Sequence, residues 1–118
     1  MGNESLHIAA VDTLHCEAGW RNYHFCKITT EDGIVGWSEF DEGFGSPGVS
    51  TVIDAVTAKL IGRSVFDHEA IFTDLLYATR PAAGSVVGQG IGAIENALLD
   101  AKAKALGVPV STLLGGKV

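Results

Sequence analysis

The sequence predicts an α+β domain, a three-stranded antiparallel meander followed by a three-helix layer. Three observations point there. Residues 6–40 hold three segments in which apolar and polar side chains alternate, separated by glycine-centred turns. Residues 48–107 hold three segments whose apolar residues recur at three- and four-residue spacing. Strands therefore precede helices instead of alternating with them, which argues against a βαβ chain with a parallel sheet. A three-stranded sheet needs a cover to be stable, so the helices are expected on one face of the meander.

The first strand is expected over residues 6–15, where Leu6, Ile8, Ala10, Leu14 and the following Cys16 alternate with small or polar neighbours and Asp12 interrupts the pattern. Residues 17–22 read as a loop centred on Gly19. The second strand is expected over residues 23–29, with Tyr23 and Phe25 on one face and His24, Cys26 and Ile28 on the other. Thr30-Glu31-Asp32-Gly33 is a hairpin signal, because Asp-Gly supplies the positive φ that a tight turn requires. The third strand is expected over residues 34–39, with Gly36 allowing close approach of a neighbouring backbone.

The glycine-rich loop of residues 41–48 leads into a first helix, capped by Ser46 or Ser50, with Val52, Ile53, Val56 and Leu60 as its stripe. Gly62 ends it. Asp67 is the expected N-cap of a second helix carrying Ala70, Ile71, Asp74, Leu75 and Ala78, stopped by Arg80-Pro81. Residues 82–90 read as a small-residue loop. The last and longest helix carries Ile91, Ile94, Leu98, Ala101 and Ala105 as its apolar stripe. Asn96, Asp100 and Lys104 lie opposite, with Asp100 and Lys104 spaced to pair. Gly107 and Pro109 terminate it, and residues 108–118 form an exit segment. Leu99, Ala103, Val110, Leu113 and Leu114 fall on other faces or past the helix end, and are expected to need a cover from outside the chain.

The 118 residues are one domain's worth of chain, with 47% hydrophobic residues and a mean hydropathy of +0.26. Eight basic and fourteen acidic residues give a formal charge of −6, which argues against a nucleic-acid partner. No run of eighteen apolar residues exists, so no membrane partner is expected, and the N-terminus lacks a secretory leader pattern; the expected location is cytoplasmic. Cys16 and Cys26 are too few for a disulfide scaffold or a metal site; they could face each other across a hairpin, but read as two reduced, half-buried thiols. The four histidines form no HExxH motif or i,i+4 pair, so no zinc motif is present. Glu39, Asp41 and Glu42 cluster where Mg²⁺ could be held with water, but a solvated loop in an acidic protein accounts for them.

The segment AIENALLDAKAKALGVPVSTLLGG resembles the N-terminal signature of the mandelate racemase/muconate lactonising enzyme group of the enolase superfamily. The match runs through Ala93, Glu95, Asp100, Ala103–Lys104, Pro109–Val110 and Leu113–Leu114–Gly115; Leu99 stands where many relatives have Trp, and Ala103 where many have Gly. The block ITTEDGIVGWSEF is similar to the family's Thr-x-Asp-Gly turn and Gly-Trp-Gly-Glu strand, through Thr30, Asp32–Gly33, Gly36–Trp37 and Glu39, with Ser38 replacing a Gly. The two blocks occur in the family's order, and the similarity spans almost the whole chain.

The resemblance implies a capping domain, residues 1–118, that leads into a C-terminal (β/α) barrel absent from this sequence. It implies that the Mg²⁺ ligands and the acid/base residues belong to the barrel, so no catalytic or metal-binding residue and no cofactor are expected here. It also implies two substrate-closing loops, residues 16–22 and 40–47. The candidate substrate contacts are Trp20 as an apolar wall, Arg21 as a carboxylate or hydroxyl fork, its polar neighbour Asn22, Glu42 as a hydroxyl acceptor, and Phe44 as a water shield. The implied reaction begins with removal of the proton α to a carboxylate, with Mg²⁺ stabilising the enediolate. The polar Trp-Arg-Asn loop points to an acid-sugar dehydratase, with a racemase or cycloisomerase as the alternative. The expected partners are the barrel, a small-molecule carboxylate and further copies of the protein. The rival from another class is a stand-alone binding or interaction module without catalysis.

Overall fold

The structure, a computed structural model, describes residues 6–43 and 46–118. Three strands, β1 (Ile8–Glu17), β2 (Asn22–Thr30) and β3 (Val35–Phe40), form an antiparallel sheet in the order β1-β2-β3. Four helices follow: α1 (Val49–Val56), α2 (His68–Ala78), α3 (Ser85–Leu106) and the single turn α4 (Val110–Leu113). Strands followed by helices is the expected α+β order.

The alternation in β2 buries His24, Cys26, Ile28 and Thr30 on one face, where Cys26 and Ile28 join Ile53, Ile91, Ile94 and Leu98 of the helices in one core. Tyr23, Phe25 and Lys27 occupy the outer face. Gly19 and Gly33 turn the two hairpins with φ of 88° and 93°. The second turn is tightened by Thr30, whose hydroxyl donates to Asp32 and accepts from the Ile34 amide at 3.0 Å.

Part of each outer strand's free edge is occupied, on β1 only at Ile8, which hinders edge-to-edge pairing there. The amide of Ile8 in β1 donates to the Arg63 carbonyl, and Gly62 donates back to Ile8, each at 2.8 Å. On β3, two side chains of α3 occupy backbone groups of the edge, and one β3 side chain ties back to the helix backbone. The Trp37 amide donates to Asp100 Oδ2 at 2.8 Å, Lys104 Nζ donates to the Val35 carbonyl at 2.8 Å, and Ser38 Oγ donates to the Ala93 carbonyl at 2.6 Å. Asp100 and Lys104 pair at 2.9 Å, as their spacing predicts, and the pair also supports the strand. This contact depends on Gly36: a Cβ there would overlap the Ala97 carbonyl oxygen and lie 2.8 Å from Ala101 Cβ.

Four expectations need correction. β1 and β3 begin and end one or two residues later than predicted, and β2 is longer by one residue at each end, so that Asn22 opens it instead of belonging to the loop. Residues 85–90 are helical, so α3 spans 22 residues. Its glycines read locally as a loop, yet Gly90 sits where a Cβ would lie 2.7 Å from Val52 Cγ1, so close packing against α1 favours glycine in a helix. Neither Ser46 nor Ser50 caps α1; the N-cap is Gly48, with φ of 103°. Leu99 and Ala103 are buried within the chain itself, while Leu106 and Leu114 are exposed. Gly107, with φ of 71°, closes α3 as expected, and Val108 donates to the Ala103 carbonyl at 3.0 Å.

Candidate functional site

The β1–β2 turn and the β3–α1 loop lie at the same end of the sheet, because His15, His24 and Phe40 are paired across the three strands there. The candidate residues divide between its two faces. On the outer face, the Arg21 guanidinium carbon lies 4.5 Å above the Tyr23 ring and 5.4 Å from the Trp20 ring. One guanidinium nitrogen is 3.9 Å from Glu39 Oε2, too far for a bidentate pair, and the Arg21 Nε is buried without a partner among the described residues. Trp20 is 75% exposed. It stands edge-on to Tyr23 at 6.3 Å. Beyond this cluster is an open depression of about 410 Å³ lined by Leu14, His15, Cys16, Phe25 and Trp37.

Glu42 lies on the other side, at the start of α1. Its Oε1 accepts from the Ser50 amide at 2.6 Å and the Ser50 hydroxyl at 2.8 Å. Partial burial works against its ionisation. The Ser50 amide and hydroxyl bonds, with His15 and His24 nearby, outweigh that and hold the Glu42 carboxyl below its usual range. The loop has two further ties: Asp41 Oδ1 accepts from the Gly43 amide at 3.0 Å, and Gln89 Nε2 donates to Ser46 Oγ at 3.0 Å. Phe44 lies outside the described residues. The structure thus brings Trp20 and Arg21 together and separates them from Glu42.

Glu39, Asp41 and Glu42 each face a different partner and do not converge. Among the described residues, neither cluster of potential metal ligands offers the all-oxygen shell that Mg²⁺ prefers. One is His15, His24 and Glu42, the other His68, Glu69 and Glu95. Neither cluster among the described residues therefore suits Mg²⁺, the ion that the resemblance assigns to a barrel outside this chain.

Two residues that motif reading passed over are central here. His15 and His24 meet with Nδ1 atoms 2.6 Å apart, and His24, only 7% exposed, stacks on Phe40 at 5.7 Å between ring centres. The signal was in the hairpin register. With the turn centred between Gly19 and Trp20, residues whose numbers sum to 39 face each other, which pairs His15 with His24. The cysteines do not meet: Cys16 is exposed opposite Tyr23, whereas Cys26 is buried opposite Thr13, and both are free thiols. Burial pushes the Cys26 thiol up to about 12. No described helix is long and apolar enough to cross a membrane.

Comparison with known proteins matches residues 6–115 to the family described as mandelate racemase/muconate lactonizing enzyme, N-terminal domain. A D-galactonate dehydratase family member from Streptomyces bingchenggensis is 40% identical over 112 residues, covering 94% of this chain and 27% of that protein. A Burkholderia xenovorans protein, provisionally described as an L-alanine-DL-glutamate epimerase and solved with magnesium and fumarate, superposes with a TM-score of 0.93 at 65% identity. That match covers 97% of this chain and 28% of the other. The 3,6-anhydro-D-galactonate cycloisomerase of Zobellia galactanivorans gives a TM-score of 0.84 at 31% identity, over 93% of this chain and 32% of the other. The chain thus spans less than a third of each of these relatives. With its three-stranded meander, its helical layer and a family match over residues 6–115, the chain belongs to the mandelate racemase/muconate lactonizing enzyme family of the enolase superfamily, as its N-terminal domain.

Proposed function

We propose that this domain caps the active site of a larger acid-sugar dehydratase and is inactive alone. One observation carries the reading: the β1–β2 turn and the β3–α1 loop emerge at one end of a covered, rigid sheet, and both present hydrogen-bonding groups there. Arg21, held against Tyr23 and Trp20, offers N–H donors to a carboxylate or a hydroxyl. Glu42 offers an ionised acceptor on the opposite side of the same sheet end. Trp20, Asn22 and Phe44 complete the proposed rim.

The chemistry proposed for the whole protein removes the proton α to a carboxylate and expels the β-hydroxyl, giving an enol that tautomerises to a 2-keto acid. The base, the acid and the Mg²⁺ ligands are assigned to a C-terminal barrel outside this chain. Further copies of the protein are the proposed assembly partners.

The test offers polyhydroxy acids such as galactonate to the intact protein and measures 2-keto acid formation. Turnover by the intact protein and none by the 118-residue chain is expected. Arg21→Ala should lower kcat/KM by about 1.5–3 kcal/mol, the value of one charge-assisted contact. An unchanged kcat/KM would remove Arg21 from the site. A second reading, epimerisation of a carboxylate, is favoured by the 65% identity to the Burkholderia protein. Exchange of the α-proton with solvent without water loss would select it.

A further inference from the structure

We propose that His15, His24 and Glu42 form a binding site for a zinc-class divalent transition ion, distinct from any magnesium site. The three residues come from β1, β2 and the β3–α1 loop, and one potential ligand atom from each lies within 4.8 Å of the others. Two imidazole nitrogens and one carboxylate form a donor set that suits zinc and related ions, and it leaves a fourth tetrahedral position open to water.

The geometry is close to a ligating one. Two imidazole nitrogens bound to one tetrahedral zinc lie about 3.3 Å apart, given bonds of about 2.0–2.1 Å. Here the Nδ1 atoms are 2.6 Å apart. His15 is exposed near the strand end, so a small ring rotation opens the gap. His24 is fixed by burial and by its stacking on Phe40. The Glu42 carboxylate is oriented by Ser50, whose amide and hydroxyl both donate to Oε1, while Oε2 receives only a 3.0 Å contact from the same hydroxyl. Oε2 therefore keeps a lone pair for an ion, and Ser50 supplies the supporting bonds that orient a ligating carboxylate.

The second cluster fails on charge. Lys102 Nζ lies 3.2 Å from His68 Nδ1, so a cation already stands at one of its candidate donors. A metal on His15, His24 and Glu42 would instead tie the first two strands to the β3–α1 loop, stiffen one end of the sheet, and compete with a substrate hydroxyl for Glu42 Oε2.

The test uses the intact protein saturated with Mg²⁺, titrated with Zn²⁺ against a chromophoric chelator, with Co²⁺ spectra as a second readout. One zinc per chain is expected, with tetrahedral Co²⁺ bands that lack thiolate charge transfer. His15→Ala, at an exposed position, should weaken binding by at least about 100-fold, the upper end of what loss of a supporting residue causes. Cys16→Ser and His68→Ala should leave it unchanged. Failure to take up zinc in the presence of Mg²⁺, or zinc binding that survives His15→Ala, would overturn the assignment.

Discussion

Gly36→Ala tests the contact on which the fold turns. The added methyl would overlap the Ala97 carbonyl oxygen and lie 2.8 Å from both Ala101 Cβ and the Ala101 amide nitrogen. Those obstacles are mostly helix backbone, which cannot swing aside as a long side chain can. Overpacking a core costs about 1–3 kcal/mol, and here relief requires α3 to move away from β3. That movement lengthens three bonds together: Ser38 to Ala93, Trp37 to Asp100, and Lys104 to Val35. Each is worth about 0.5–3 kcal/mol, the larger values applying to the charged partners. A loss of about 3–5 kcal/mol is therefore expected, with a fall in Tm on the order of 10–20 °C. Urea unfolding followed by far-UV circular dichroism measures it. Gly92→Ala is the control: that position is in α3, a new Cβ would meet no other described segment within 4 Å, and φ is not positive, so alanine should gain up to about 1 kcal/mol. A Gly36→Ala variant within about 0.5 kcal/mol of the parent would refute the close-approach argument.

Asp100→Ala should cost about 1.5–3 kcal/mol, because the Trp37 amide and Lys104 both lose their acceptor; chemical denaturation should show it, with only part of the loss recovered at high salt. The Glu42 carboxyl is held below its ordinary value of 4.5, so its contribution to stability is present above that pH and lost as pH falls through the lower folded value. Glu42→Gln should accordingly flatten the acid limb of a stability–pH curve; an unchanged limb would mean that Ser50 does not hold the ionised form. Cys16 should react with a thiol reagent in the native protein at pH 8, while Cys26, buried and pushed up to about 12, should react only after unfolding. Two equally fast thiols would contradict the burial of β2.

Sequence alone determined the order of the elements, the strand-then-helix class and the family. Those are local facts: alternation in β2, the Asp32–Gly33 turn, the stripe of α3 and the Gly107 stop each depend on neighbours within a few residues. The matched blocks could be read for the same reason. Tertiary structure decided whatever depends on two segments meeting. Residues 85–90 joined α3, with Gly90 packed too closely on Val52 for a larger side chain. Leu99 and Ala103 became core rather than surface for an external partner. Asp100 and Lys104 became the cover of a strand edge. At the candidate site, sequence singled out the two loops. The meeting of His15 with His24 follows from sheet register, since a one-residue slip moves each side chain to the other face, and the division of Arg21 from Glu42 follows from the separate contacts each loop makes. A linear motif search looks for ligands at short spacings along one element, whereas His15, His24 and Glu42 lie on two strands and a loop and converge only when the sheet closes.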